Sequence, residues 1–149
     1  MPGTGGRRGV LVVDDSEEYL AVVCSWIESQ PGLTLVGTAR NGAEALEAVF
    51  RLAPDLVIID SFMPVMDGFA ATREIKTRPS APAVVMVSVH DGSGIEHEAW
   101  AAGADAFVVK ANLAVQLPSV LQGLGRGEPT SPARPRTSPG SKRDGTIEP

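Results

Sequence analysis

The 149 residues, 43% hydrophobic and 21% charged, suffice for one domain of ordinary size with an appendage and are too apolar for a wholly disordered chain. No apolar run approaches the about 18 to 20 residues needed to span a bilayer, and the single cysteine, Cys24, excludes an internal disulfide and a cysteine-rich metal site. The net charge of −5 is unevenly spread: residues 1–125 carry 8 basic and 15 acidic groups, residues 126–149 carry 5 and 3, and so acidic a body argues against nucleic acid as a direct ligand.

In chain order, MPGTGGRRG leads into an apolar strand, Val10 to Val13, with no signal-peptide apolar region, so a cytoplasmic protein is expected with residues 1–7 as a flexible N-terminus. Leu20, Val23, Cys24 and Ile27 then recur at the spacing of one buried helical face, which makes Cys24 a core residue and not a nucleophile. A second strand, Leu33 to Val36, precedes a helix that Asn41 caps, with Glu44 reaching back three residues later. Ala45, Leu46, Val49 and Leu52 form its stripe and Pro54 stops it. A third strand, Leu56 to Ile59, is followed by a helix over Gly68 to Thr77, ended by Pro79 and Pro82. The fourth strand, Val84 to Val87, leads through a movable Asp91-Gly92-Ser93-Gly94 connector into a short helix, Ile95 to Ala102, ended by Gly103. The fifth, Ala106 to Val109, precedes a last helix read as starting with Pro118 in its first turn and running to about Leu124. From Gly125 onward the chain is rich in Pro, Ser, Arg and Gly with almost no large apolar residue, which predicts a disordered tail over 125–149 behind a domain at 8–124.

Short, continuously apolar strands alternating with helices are what a parallel sheet buried on both faces requires, so the chain reads as an α/β protein. Ligands of such sheets bind beyond the carboxyl ends of the strands. Four strands end in polar residues: Asp14 and Asp15, then Asp60, Ser88 and Lys110. Three carboxylates in one pocket repel one another unless one keeps a proton or a cation sits among them, and a hard divalent ion such as magnesium suits the oxygen donors. Lys110 and Ser88 suit a phosphoryl group, and an Asp carboxylate is itself a competent nucleophile. Taken singly, each Asp at a strand end is more often a cap or turn residue; the five together carry the argument. Asp105, Glu96, Glu98 and the Glu17–Glu18 pair read as solvated charges.

The segments LVVDD and DLVIIDSFMPVMDG, with Ser88 and Lys110 at strand ends, resemble the receiver domain of bacterial response regulators over residues 8–124. The spacings agree: 45 residues from Asp15 to Asp60, 28 to Ser88 and 22 to Lys110. The resemblance implies a doubly wound, flavodoxin-like sheet in the order 2-1-3-4-5 with five helices. It further implies Asp60 as phosphoacceptor; Asp15, Asp60 and the Phe62 carbonyl as magnesium ligands with Asp14 acting through water; and Ser88, Lys110 and the switch aromatic Phe107 at the phosphoryl group. Met63-Pro64 and Asp67-Gly68 match the loop that shapes such sites. A sensor His kinase or His phosphotransfer protein is the implied donor. The output is expected through the face of the fourth helix, fifth strand and fifth helix, toward a protein target or a second copy. The expectation is a stand-alone signalling phosphoacceptor, not a turnover enzyme beyond slow self-dephosphorylation, with no direct nucleic-acid or membrane contacts.

Two positions depart from the pattern: Val89 replaces a small residue near the phosphate entry path, and Ala111 replaces a common proline after the lysine, so that bond is expected trans. Three other readings compete. A flavin carrier of the same topology needs a Ser/Thr/Gly phosphate loop where this chain has Asp-Asp-Ser-Glu-Glu. A phosphohydrolase with an Asp nucleophile needs a second acid where Phe62 stands. A degenerate receiver serving as a binding scaffold would have lost some of the five site residues.

Overall fold

The computed structural model describes residues 7–90 and 92–125, so the expectations for residues 1–6, for Asp91 and for the tail beyond Gly125 fall outside the described residues. The elements run β1 (Arg8–Val13), α1 (Glu17–Glu28), β2 (Leu33–Ala39), α2 (Gly42–Leu52), β3 (Leu56–Asp60), α3 (Gly68–Ile75), β4 (Ala83–Ser88), α4 (Ser93–Ala102), β5 (Ala106–Val109), a 3₁₀ turn (Lys110–Asn112) and α5 (Leu113–Gly125). All strand pairs are parallel and the order is β2-β1-β3-β4-β5, as expected.

Helices cover both faces of the sheet, which is why its strands need no polar side. Leu11, Val13, Val57, Ile59, Val84, Met86 and Phe107 face α2, α3 and α4, while Val10, Val12, Ile58, Val85, Val87 and Val108 face α1 and α5. Ile58 and Ile59 are fully buried on opposite faces, each side chain stabilising the fold by about 2 kcal/mol through its transfer out of water. The register between β1 and β2 slips between Val10 and Leu11, leaving Val36 as an extra residue on the edge strand.

Local signals place most helix ends. The Asn41 side chain accepts from Glu44 N at 2.9 Å, but Glu44 Oε1 reaches Arg40 N at 2.9 Å, one residue before the reciprocal partner expected of a capping box. Asp67 caps α3 by accepting from Ala70 N at 2.9 Å, and α4 begins two residues earlier than expected, after Gly92. The last helix differs most: α5 starts at Leu113 and holds Pro118 in its interior. Leu113, Leu117 and Val120 are buried at i, i+4 and i+7. Two buried leucines at about 2 kcal/mol each outweigh the roughly 3 kcal/mol that an interior proline costs. Ala114, whose carbonyl loses its N–H partner four residues on, is exposed.

Asp105 is not a solvated charge. Its Oδ2 accepts from Val84 N at 2.8 Å and pairs with Lys76 Nζ at 2.8 Å, tying α3, β4 and β5 together at the amino end of the sheet. Asp55 Oδ2 likewise accepts from Gly9 N at 2.7 Å. Among the described residues no helix is long and apolar enough to cross a membrane.

Candidate functional site

The carboxyl edge of the sheet gathers the residues singled out at the strand ends. Asp14 and Asp15 follow β1, Asp60 closes β3, Ser88 closes β4 and Lys110 follows β5. Because β3 lies between β1 and β4, these termini border one pocket. Carboxylate oxygens of Asp14, Asp15 and Asp60 lie within 4.8 Å of one another, a donor set of hard oxygens suited to a divalent cation of the magnesium type. Asp14 and Asp60 are buried, whereas Asp15 is exposed.

Lys110 Nζ sits 2.6 Å from Asp14 Oδ2 and 3.5 Å from Asp60 Oδ1. The other Asp14 oxygen accepts from Ser16 N at 2.9 Å, which holds the carboxylate at the mouth of α1. One ammonium does not balance three carboxylates. The Asp60 carboxyl is pushed up to about 6, first by burial and next by the Asp14 charge, with Lys110 pulling down and Asp15 adding a smaller push. The pocket is therefore short of positive charge, which is the electrostatic condition a bound cation would relieve.

Ser88 is fully buried, and its Oγ accepts from His90 N at 3.2 Å. Phe107, three residues before Lys110, is buried among the residues facing α4, its ring inside the core. Phe62 lies two residues beyond Asp60, half-exposed, its ring edge-on to Phe69 at 5.5 Å. Val89 is exposed beside the β4 terminus. No cis peptide occurs among the described residues, so the Lys110–Ala111 bond is trans as expected.

The β3–α3 loop is pinned from both sides. Gly68 N donates to Ser61 O at 2.9 Å, and Gly42 N, at the start of α2, donates to Met66 O at 2.8 Å. Val65, at the loop's tip, has φ 71°, in the left-handed region that a β-branched residue rarely adopts. It is 83% exposed, so no packing compensates for the strain. Val65→Asn should raise stability by about 1 kcal/mol, since asparagine tolerates that conformation; thermal unfolding is the check, and a lower midpoint would contradict the strain.

Sequence reasoning missed Tyr19 and the close approach of Gly68 to the Asp60 carbonyl, where a Cβ would collide with the oxygen. The Tyr19 ring centroid lies 4.4 Å from Lys110 Nζ. The only legible signal was its place in the first turn of the helix that follows the acidic pair.

A family model for the response regulator receiver domain matches residues 10–122. A protein-glutamate methylesterase/protein-glutamine glutaminase of Symbiobacterium thermophilum is 46% identical over 110 residues, which cover 72% of this chain and 30% of that protein. The chain thus spans less than a third of the length of such curated relatives. Among solved structures, the response regulator domain of Thermotoga maritima CheB superposes with a TM-score of 0.72 at 32% identity, covering 80% of this chain and 97% of that one. The signal receiver domain of the putative response regulator NarL from Mycobacterium tuberculosis gives 0.76 at 26% identity, over 82% and 98%. The CheX–CheY–BeF3–Mg complex of Borrelia burgdorferi gives 0.72 at 25% identity, over 79% and 89%.

Proposed function

The chain belongs to the response regulator receiver domain family, and from that premise we propose that it accepts a phosphoryl group on Asp60 from the phosphohistidine of a sensor kinase or phosphotransfer protein. The observation that carries the reading is the pocket itself: three carboxylates within 4.8 Å and an ammonium 3.5 Å from Asp60.

In the proposed step, an Asp60 carboxylate oxygen attacks phosphorus, the P–O bond forms, and the P–N bond breaks with its electron pair leaving on the donor imidazole. Lys110 offsets charge on the phosphoryl oxygens as a point charge, and the Ser88 hydroxyl turns to donate to one of them. We assign Asp15, Asp60 and the Phe62 carbonyl as ligands of a magnesium ion, with Asp14 acting through water. Magnesium, when bound, supplies positive charge that offsets the carboxylates and the incoming phosphoryl oxygens. Removal of the phosphoryl group by water completes the cycle, slowly and without other substrates.

Output is proposed to run through the face of α4, β5 and α5, where Ser88 and Phe107 link the phosphate to the surface. The protein would act in the cytoplasm on a partner protein or a second copy of itself, in a domain spanning 8–124. The similarity to methylesterases favours a second reading of the output alone, in which the partner of this face is a methylesterase-type catalytic unit. Co-purification with such a unit that depends on Asp60 would separate it from self-association.

Incubation with acetyl phosphate and magnesium should add one phosphoryl group to the wild type and none to Asp60→Asn, read by mass spectrometry of the intact protein. Labelling of Asp60→Asn, or labelling of the wild type at an undiminished rate in chelator, would refute the phosphoacceptor or the metal assignment respectively.

A further inference from the structure

Lys110 is held on three sides. Asp14 and Asp60 supply the first two, at 2.6 and 3.5 Å, and the face of the Tyr19 ring supplies the third, with its centroid 4.4 Å from Nζ. The lysine stem has four flexible carbons and does not orient its own charge. Beside it lies a cavity of about 180 Å³ lined by Tyr19, Val22, Trp26, Lys110, Leu113 and Ala114, so the stem has room to swing aside. The Tyr19 hydroxyl is buried and has no hydrogen-bond partner among the described residues. Burial, then the nearby Asp14 and Asp60 charges, raise its proton affinity, so the group stays a neutral phenol with an intact ring face.

We infer that Tyr19 is a positioning residue for phosphoryl transfer, its ring holding the Lys110 ammonium over the pocket while the charge of the carboxylates changes. The inference rests on the phosphoacceptor reading above. The two ion pairs that hold Lys110 weaken once a divalent cation shares the carboxylates, and the cation itself repels the ammonium. The attraction of a cation to an aromatic face depends on neither carboxylate. The ring therefore keeps the ammonium where an arriving phosphoryl oxygen needs it, when the ion pairs alone would release it into the cavity. The bland alternative is that Tyr19 only packs against its neighbours on α1 and α5 and that the lysine lies over it incidentally.

The experiment measures the rate of labelling by acetyl phosphate with magnesium in the wild type, Tyr19→Phe and Tyr19→Leu, each also combined with Lys110→Ala. Tyr19→Leu should slow labelling about three- to tenfold, while Tyr19→Phe, which keeps the ring, should label at nearly the wild-type rate. With Lys110→Ala in place, Tyr19→Leu should add no further slowing. Equal slowing by Tyr19→Leu in both backgrounds, or none in either, overturns the inference. NMR gives a readout that survives a poorly folded leucine variant: the Lys110 ε-methylene protons should be shifted upfield by the ring in the wild type and in Tyr19→Phe with magnesium bound. Unshifted protons in magnesium overturn it. A wild type that does not label refutes the phosphoacceptor reading and this inference with it, whereas a labelling wild type matched by Tyr19→Leu refutes the inference alone.

Discussion

Asp60→Asn is expected to stabilise the metal-free protein at pH 7 by about 2 kcal/mol, a rise in melting temperature of roughly 8 °C for a domain of this size. The Asp60 carboxyl is raised from 3.8 to about 6 in the fold, so the folded state disfavours its charge. Below about pH 4 the group is protonated in both states and contributes nothing. Between about 4 and 6 the folded protein keeps a proton that the unfolded chain has released, so stability falls as pH rises through this window. Above about 6 the loss is complete, near 3 kcal/mol for the full shift, and asparagine recovers most of it. Magnesium should reverse the order by binding the folded wild type in preference and stabilising it by mass action, with a much smaller effect on Asp60→Asn. Thermal melts of both proteins at pH 5 and 7, with and without magnesium, test the whole set. A metal-free Asp60→Asn less stable than the wild type at pH 7 would mean that the pull of Lys110 outweighs burial and the Asp14 charge.

The part of the site that the sequence made legible follows from the physics of buried parallel strands. Such strands carry no polar residues within, so a polar residue at the end of one, as with Asp60 after Leu56 to Ile59, stands out against an apolar run. The same contrast located Asp14, Asp15, Ser88 and Lys110. What stayed hidden depends on contacts distant in sequence. Asp105 looks like any loop carboxylate until β4 brings Val84 N to within 2.8 Å of it, 21 residues away. Asp55 meets Gly9 N across 46 residues. Pro118 misplaced the start of α5 because a local rule about proline outranked the Leu113, Leu117, Val120 spacing, although burial of those side chains decides the helix. Val65 gave no sign of its positive φ, since the path of the loop is set by Gly68 and by the Gly42–Met66 hydrogen bond. Tyr19 stood one residue from the stripe of α1 and was passed over for that reason.

Gly68→Ala should be the most damaging glycine-to-alanine change among the described residues. A Cβ at Gly68 would collide with the Asp60 carbonyl oxygen and would also lie 3.0 Å from the Asp60 carbonyl carbon and 3.1 Å from Ser61 Cα. All three are backbone atoms at the end of a buried central strand, so no side chain can turn away to make room. The requirement is for close approach and not for conformation, because Gly103 is the only glycine among the described residues with positive φ. Either the end of β3 or the start of α3 must move, and the Gly68 N to Ser61 O bond of 2.9 Å is lost or stretched. Overpacking of this kind costs about 2 to 3 kcal/mol. The displaced atoms belong to Asp60, the proposed nucleophile, and to its neighbour Ser61, and a shift of about 1 Å in a reacting group is enough to slow transfer on the order of 100-fold. Gly94→Ala provides the contrast, since a Cβ there meets nothing within 4 Å inside α4; it should raise stability by up to about 1 kcal/mol through helix propensity and leave labelling unchanged. Melting temperature and the rate of acetyl phosphate labelling measured on both variants decide the point. A Gly68→Ala protein that melts and labels like the wild type would mean that the end of β3 is free to shift, and that the loop's approach to the Asp60 carbonyl is not what fixes the proposed phosphoacceptor in place.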